Sequence, residues 1–366
     1  MPAEITLLVD ELVARMKAGS GYRPALARLA EAARAGGAES ATAVIEALAP
    51  WLPGLQGDYA ATAVLAGACV EWGGSPEALV DVLPQRASEA MMLNAAVPEF
   101  WARATRWRPL PKPESASTDR LVKTLGRLVR SGQGMDEGVM TRIAMSWFDM
   151  DDWLLPLITL LTDSRFRTAV AAPVKAQLRA HAAAVADRSQ RAAWVGQLAA
   201  VLDDEPLLVL DPRTRRGYAL TMGGIGDNFQ LHTLLTDRLI GDPEQGLVAG
   251  ERPARKWVEA ATDGDANLGA SDAAIRRFRL FDGHGAYVYP EGVPADIEPL
   301  DGTRVLVLHP PNGTFGMGVG RVFEHMMPTL RLERVLESAE TQAWFDQVAP
   351  AVENDLMAGQ AETGTG

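Results

Sequence analysis

Three polar, glycine-bearing stretches hold the residue types from which a site could be built, and all of them lie beyond residue 220 of a 366-residue chain. The first is MGGIGDN at 222–228, with His232 about one helical turn further on. Glycines let a backbone approach a ligand closely, and the free N–H groups that open a following helix attract anions, so a phosphate is the ligand this bend would take. Asp227 and His232 are also close enough along one helix to act as an acid–base pair. The competing reading is structural. No lysine follows as in a P-loop, the spacing is not GxGxxG, and Asp227 would repel a phosphate while serving well as the N-cap of its own helix.

The second stretch, TDGDANLG at 262–269, alternates Asp263, Asp265 and Asn267 as a calcium loop begins. Leu268 then stands where such a loop needs glycine and Ala274 where it needs a bidentate glutamate, which leaves a turn-rich loop as the expectation. The third, HPPNGTFGMGVG at 309–320, is followed by Arg321, Glu324 and His325. Here a polar residue, His309, ends an apolar strand and runs into a glycine-laden loop, a place where sheet proteins put functional groups. Asn312, Gly316, Gly318 and Arg321 are the expected ligand contacts, and Arg321 suits a carboxylate or phosphate.

Asp227, His232 and His309 are the catalytic candidates. Four of the five histidines, His232, His284, His309 and His325, fall in this region, but their wide spacing completes no metal motif, and no metal or cofactor is assigned. HExxH, GxSxG and SxxK strings are absent. Earlier in the chain, Asp149, Asp151 and Asp152 crowd together in SWFDMDDW, where acidic residues ahead of a helix explain them better than a hard cation does. The single cysteine, Cys69, sits in an apolar helical pattern and reads as a packed thiol rather than a nucleophile.

These residues must be positioned by two different architectures. Up to about residue 202 the apolar residues recur at helical spacing, with short Gly- and Pro-containing breaks. Helices are expected at 4–17, 23–35, 40–52, 59–72, 76–105, 119–131, 139–148, 152–162, 174–187 and 190–202. The proline-rich stretch WRPLPKPESAS at 107–117 interrupts them as an extended segment. No fixed repeat period emerges, so 1–202 reads as a helical-repeat-like domain, either a solenoid or a bundle. Trp51, Trp72, Trp101 and Trp107 read as packing anchors, and His181 as a surface or half-buried helix residue.

From 203 to 358 the expectation is a mixed α+β domain. Strands at 207–210 and 217–221 flank the turn Asp211-Pro212-Arg213-Thr214, and strands at 276–281 and 286–289 flank Asp282-Gly283-His284-Gly285. Further strands are expected at 304–309 and 330–335, an amphipathic helix from Asp227, a short helix around 254–261, and a last helix from Ser338 to about Leu356 with Ser338 and Thr341 as caps. Residues 359–366 read as a disordered tail.

Composition narrows the functional classes. Apolar residues make up 47% and charged residues 22%, as in ordinary globular domains. No apolar run is long enough to span a bilayer, and the acidic residues within the first helix do not fit a secretory signal, so a cytoplasmic protein is expected. Residues 1–200 carry 21 Lys or Arg and 21 Asp or Glu; residues 201–366 carry 14 and 26, so the net charge of −12 belongs to the second part. Such a surface repels a phosphate backbone, which argues against nucleic-acid binding through the C-terminal half. The resulting expectation is an interaction or scaffold protein: a helical platform carrying an acidic α+β module that binds a protein partner or small ligand through the 309–321 loop. The alternative is a hydrolase or transferase whose site joins Asp227, His232, His309 and Arg321.

Overall fold

The computed structural model describes residues 3–106, 108–113, 117–132, 136–264, 274–313 and 316–352. The expected tail, Trp107, and Asp265 and Asn267 of the calcium-like stretch lie outside these residues. Two compact units divide the chain, Met1–Ala200 and Val201–Gly366.

The first unit is helical: α1 (Ala3–Lys17), α2 (Tyr22–Ala35), α3 (Gly37–Leu48), α4 (Ala61–Glu71), α5 (Val82–Thr105), α6 (Thr118–Arg130), α7 (Glu137–Leu161), α8 (Ser164–Ala169), α9 (Ala172–Ala183) and α10 (Gln190–Ala200). Helix α7 is its axis, packing against α4, α5, α6, α8 and α10. In a solenoid each repeat touches only its neighbours; one helix touched by five others is bundle packing.

The two helices expected at 139–148 and 152–162 are one. Helix α7 runs unbroken through Asp149, Asp151 and Asp152, and its N-cap is Asp136, whose carboxylate accepts the Val139 N–H at 3.1 Å. The three aspartates therefore do not precede a helix. An aspartate inside a helix costs only a few tenths of a kcal/mol, roughly, against the burial of Met150, Trp153, Leu154 and Leu157 around it. Asp149 is buried and accepts the Gly57 N–H at 2.5 Å, while Asp151 pairs with Arg191 at 2.6 Å. The short helix α8 carries no periodic signal of its own and escapes the sequence reading. Across the proline-rich stretch, the indole N–H groups of Trp101 and Trp147 bind the carbonyls of Arg108 and Pro111 at 2.8 and 3.0 Å.

The second unit is built on a six-stranded mixed sheet, in the order β4-β6-β1-β2-β8, with β5 also pairing β6. The strands are β1 (Glu205–Asp211), β2 (Arg216–Gly223), β4 (Arg279–Asp282), β5 (Pro299–Leu300), β6 (Thr303–His309) and β8 (Thr329–Val335); β3 (Ala274–Ile275) and β7 (Gly316–Met317) form a separate antiparallel pair. Only β1 and β6 are parallel; the other pairings are antiparallel. The β1–β2 turn is fixed by Asp211, which accepts the Arg213 N–H at 3.0 Å and the Thr214 hydroxyl at 2.8 Å.

Strand β1 reads as a continuous apolar run because both its faces are buried. Leu207 and Val209 pack beneath α11 (Asn228–Leu239) and α12 (Arg255–Ala261), while Leu208 and Leu210 point to the opposite face, covered by Trp344 and Phe345 of α13 (Ser338–Phe345). Helix α11 is not amphipathic: nine of its twelve residues are buried.

The strand expected at 286–289 reduces to one bridge, Phe281 with Tyr287. The last helix stops at Phe345, well short of Leu356, because the following chain bonds elsewhere. Ala349 and Val352 donate to the carbonyls of Gly283 and Gly285, tying it to the 282–285 turn. Glu337, not Ser338 or Thr341, is its N-cap, and the buried Thr341 hydroxyl has no hydrogen-bond partner among the described residues.

Candidate functional site

The glycine-rich bend before α11 is occupied by the protein itself. Gly224 has φ +65°, and a Cβ there would stand 2.5 Å from the Met327 carbonyl oxygen; Gly226 likewise faces Val322 and Met326. Close backbone approach is therefore used for packing the 322–328 segment. The N–H groups at the start of α11 are also spent. Asn228 donates to the Gly292 carbonyl at 2.9 Å and Gln230 to the Asp227 carboxylate at 2.7 Å, so the cap expected of Asp227 is present. Burial holds the Asp227 carboxyl above the usual carboxylate range, against the pull of the Gln230 and Phe229 N–H groups.

His232 lies one turn further along, 4% exposed. Its Nε2 accepts two backbone N–H groups, from Arg277 at 3.2 Å and Phe278 at 3.1 Å. Burial, reinforced by the charges of Arg276 and Arg277, pushes its pKa down to about 3. The ring is therefore neutral at physiological pH, and with Nε2 accepting, the proton resides on Nδ1. Among the described residues, buried Nδ1 has no hydrogen-bond partner, and neither does Oδ1 of Asn228, one helical turn away. Both residues line a cavity of about 10 Å³ bounded also by Arg276, Phe278 and Tyr287. A donor and an acceptor in one such space are complementary to a single hydroxyl group or water.

Above this cavity Arg276 joins two elements. It donates to the Tyr287 hydroxyl at 2.9 Å and to Oδ1 of Asn312 at 3.3 Å. Asn312 thereby comes to the same place as His232, although 80 residues separate them (312 minus 232). His309 joins through ring contacts: its centroid is 4.8 Å from Phe281, Phe281 is 5.5 Å from Tyr287, and Tyr287 is 5.0 Å from Tyr289. Edge-on and tilted rings thus lead from buried Phe281 to Tyr289, which is 51% exposed. Beside them Arg279 donates to the Pro310 carbonyl at 3.0 Å.

Of the remaining candidates, Gly316 stays beside this place through its pairing with Ile275, the residue before Arg276, whereas Arg321 is turned to another helix. Arg321 donates to the carbonyls of Glu259, Ala260 and Gly264 at 3.4, 3.2 and 2.8 Å and to that of Glu324 at 3.0 Å. It closes the C-terminal end of α12, where a cation meets the negative end of the helix dipole. Gly316 pairs with Ile275 in the β3–β7 ladder, and Gly318 has open space where a Cβ would project. His284 contacts the Pro299 carbonyl beyond the other end of β4 from Arg279, the register partner of His309, and His325 is exposed. Asp263 accepts the Thr262 hydroxyl at 3.1 Å. Among the described residues, no three His, Cys, Asp or Glu side chains are grouped to hold a metal ion, and no helix is long and apolar enough to cross a membrane.

The arrangement thus brings His232 and Asn312 to Arg276 and links His309 to them only through the Phe281 and Tyr287 rings, with Asp227 turned to capping and Arg321 to α12. Asn228, Arg276, Tyr287 and Tyr289 escaped the sequence reading. Asn228 stood within the MGGIGDN stretch without a role of its own, and the other three were present as an arginine run, RRFR at 276–279, and alternating tyrosines, YVY at 287–289, within stretches read only as strands. No protein-family model matches the chain, nor does any curated protein or solved structure.

Proposed function

We propose that the C-terminal unit is a binding module that captures a small ligand or protein partner on the face made by Tyr289, Tyr287, Arg276, His309 and Asn312, with the helical unit as its platform. The observation that carries this reading is Arg276, held between Tyr287 and Asn312 directly over a cavity that contains two buried polar atoms lacking partners. Exposed Tyr289 beside half-buried Tyr287 and Arg276 combines apolar area with directional donors at low entropic cost, the composition of recognition surfaces. A hydroxyl on the captured molecule would satisfy Asn228 and His232 together. A cytoplasmic setting accords with the lone Cys69, buried and pushed up to about 12 by that burial, which keeps it an unreactive thiol.

The hydrolase or transferase reading has less support. A general base needs a pKa near the working pH and a free lone pair. His232 has neither, the Asp227 carboxylate is committed to α11, and the Arg321 guanidinium to carbonyls of its own chain.

Native mass spectrometry of the full chain purified from its own source tests the proposal, comparing wild type with Tyr289→Ala/Asn312→Ala. The expected result is a stoichiometric non-covalent companion on the wild type and its loss from a variant of unchanged thermal stability. Equal occupancy of both proteins, or none on either, would refute the assignment of this face.

A further inference from the structure

Helix α6 divides sharply into two faces. Leu121, Leu125 and Leu128 are buried against the bundle, whereas Arg120, Lys123 and Arg127, at i, i+3 and i+7, are exposed together on the other side. The segment around it is exceptional in an otherwise balanced unit: residues 103–130 carry eight Lys or Arg against two Asp or Glu, a net of +6. Like charges at these helical spacings destabilise the helix unless something offsets them. Among the described residues, neither Arg120, Lys123, Arg127 nor the neighbouring Arg108 makes an ion pair.

These four cations do not lie along a ridge. They line one cavity of about 450 Å³, inside the range of roughly 300–1,000 Å³ typical of small-molecule sites. Among the described residues its single carboxylate is Asp119, so that lining carries a net of three positive charges (four minus one), and Ser117 and Thr124 add hydroxyl groups. Guanidinium groups present paired donors that match phosphate oxygens. Among the described residues its one aromatic wall is Trp101, 4% exposed, its indole N–H bound to the Arg108 carbonyl. A strand of nucleic acid would need exposed rings on which its bases could stack; an open cluster of cations beside a buried ring does not provide them.

We propose that this cavity binds a small molecule through a diphosphate or two closely spaced phosphates, a group of about three negative charges that matches the lining. The test is isothermal titration calorimetry of the full chain with inorganic pyrophosphate at low ionic strength. Saturable one-to-one binding is expected, weakened about tenfold by Lys123→Ala and by Arg127→Gln and several-fold tighter in Asp119→Asn. The gain in Asp119→Asn separates lost contacts from lost folding, since an unfolded variant does not bind better. Absence of saturable binding would overturn the proposal, as would affinities that none of the three substitutions alters. Tighter binding of a single-stranded oligonucleotide than of pyrophosphate would also overturn it, in favour of a nucleic-acid groove.

Discussion

Each unit of this protein buries one titratable side chain on a long helix and uses it to accept backbone N–H groups. Asp149 of α7 takes the Gly57 N–H, and His232 of α11 takes those of Arg277 and Phe278. Burial favours the neutral form of both, yet the consequences are opposite. Asp149 is pushed up to about 7, chiefly by burial and against the Gly57 N–H and Arg86. His232 is pushed down to about 3. For Asp149 the folded pKa is the raised one, so its contribution to stability is complete below about 4, the unfolded value, and is lost as pH rises through about 7. For His232 the folded pKa is depressed, so stability is present above about 6.5 and lost as pH falls through about 3. At these two positions one chain thus contains a helical unit that loses stability as pH rises from about 4 to about 7 and a sheet unit that loses it as pH falls from about 6.5 to about 3.

The largest effect is expected from His232→Ala. It leaves two buried N–H groups unpaired and opens a cavity, which should destabilise the C-terminal unit by about 3–5 kcal/mol in urea unfolding. Next comes Asp149→Asn, which keeps an acceptor for Gly57 but removes the buried charge. At pH 8 it should stabilise the helical unit by an amount on the order of 3 kcal/mol, with little change at pH 4, so that unfolding midpoints measured across this range flatten. An unaltered pH profile would break the comparison on the helical side.

Gly224→Ala should cost about 2 kcal/mol, from its left-handed backbone and the Met327 carbonyl it would strike. Gly318→Val is the smallest in stability, within about 0.5 kcal/mol, because its Cβ meets open space. It nevertheless should weaken ligand or partner capture if the 309–321 loop takes part in it. The pair separates glycines required by the fold from those available to a ligand; equal melting temperatures for the two variants would contradict that division.

Much of this architecture is legible in the sequence because its signals are local. The Asp211–Thr214 turn chemistry, the apolar runs of β1 and β6, and the Asp227 cap each act over a few residues. What was not legible depends on distant partners. Three aspartates look like a helix start until Gly57 and Arg191 are found to receive two of them within α7. Nothing in GGIG announces that a carbonyl about a hundred residues later will fill it. Arg321 looks free for a ligand because the carbonyls it satisfies belong to α12, some sixty residues earlier. The site itself depends on Arg276 reaching Asn312, 36 positions away, and no periodicity records such a meeting. The basic cavity beside α6 was written in the sequence but disappeared when charge was summed over a balanced half.

The neutral, buried state of His232 is what separates a recognition site from an acid–base one, and imidazole nitrogen chemical shifts report it directly. A ¹⁵N-labelled full chain should show His232 as a neutral ring protonated at Nδ1, unchanged from about pH 8 to about pH 5. A His232 signal that titrates near pH 6–7, or one protonated at Nε2, would contradict the hydrogen bonds to Arg277 and Phe278 and favour the alternative enzyme reading instead.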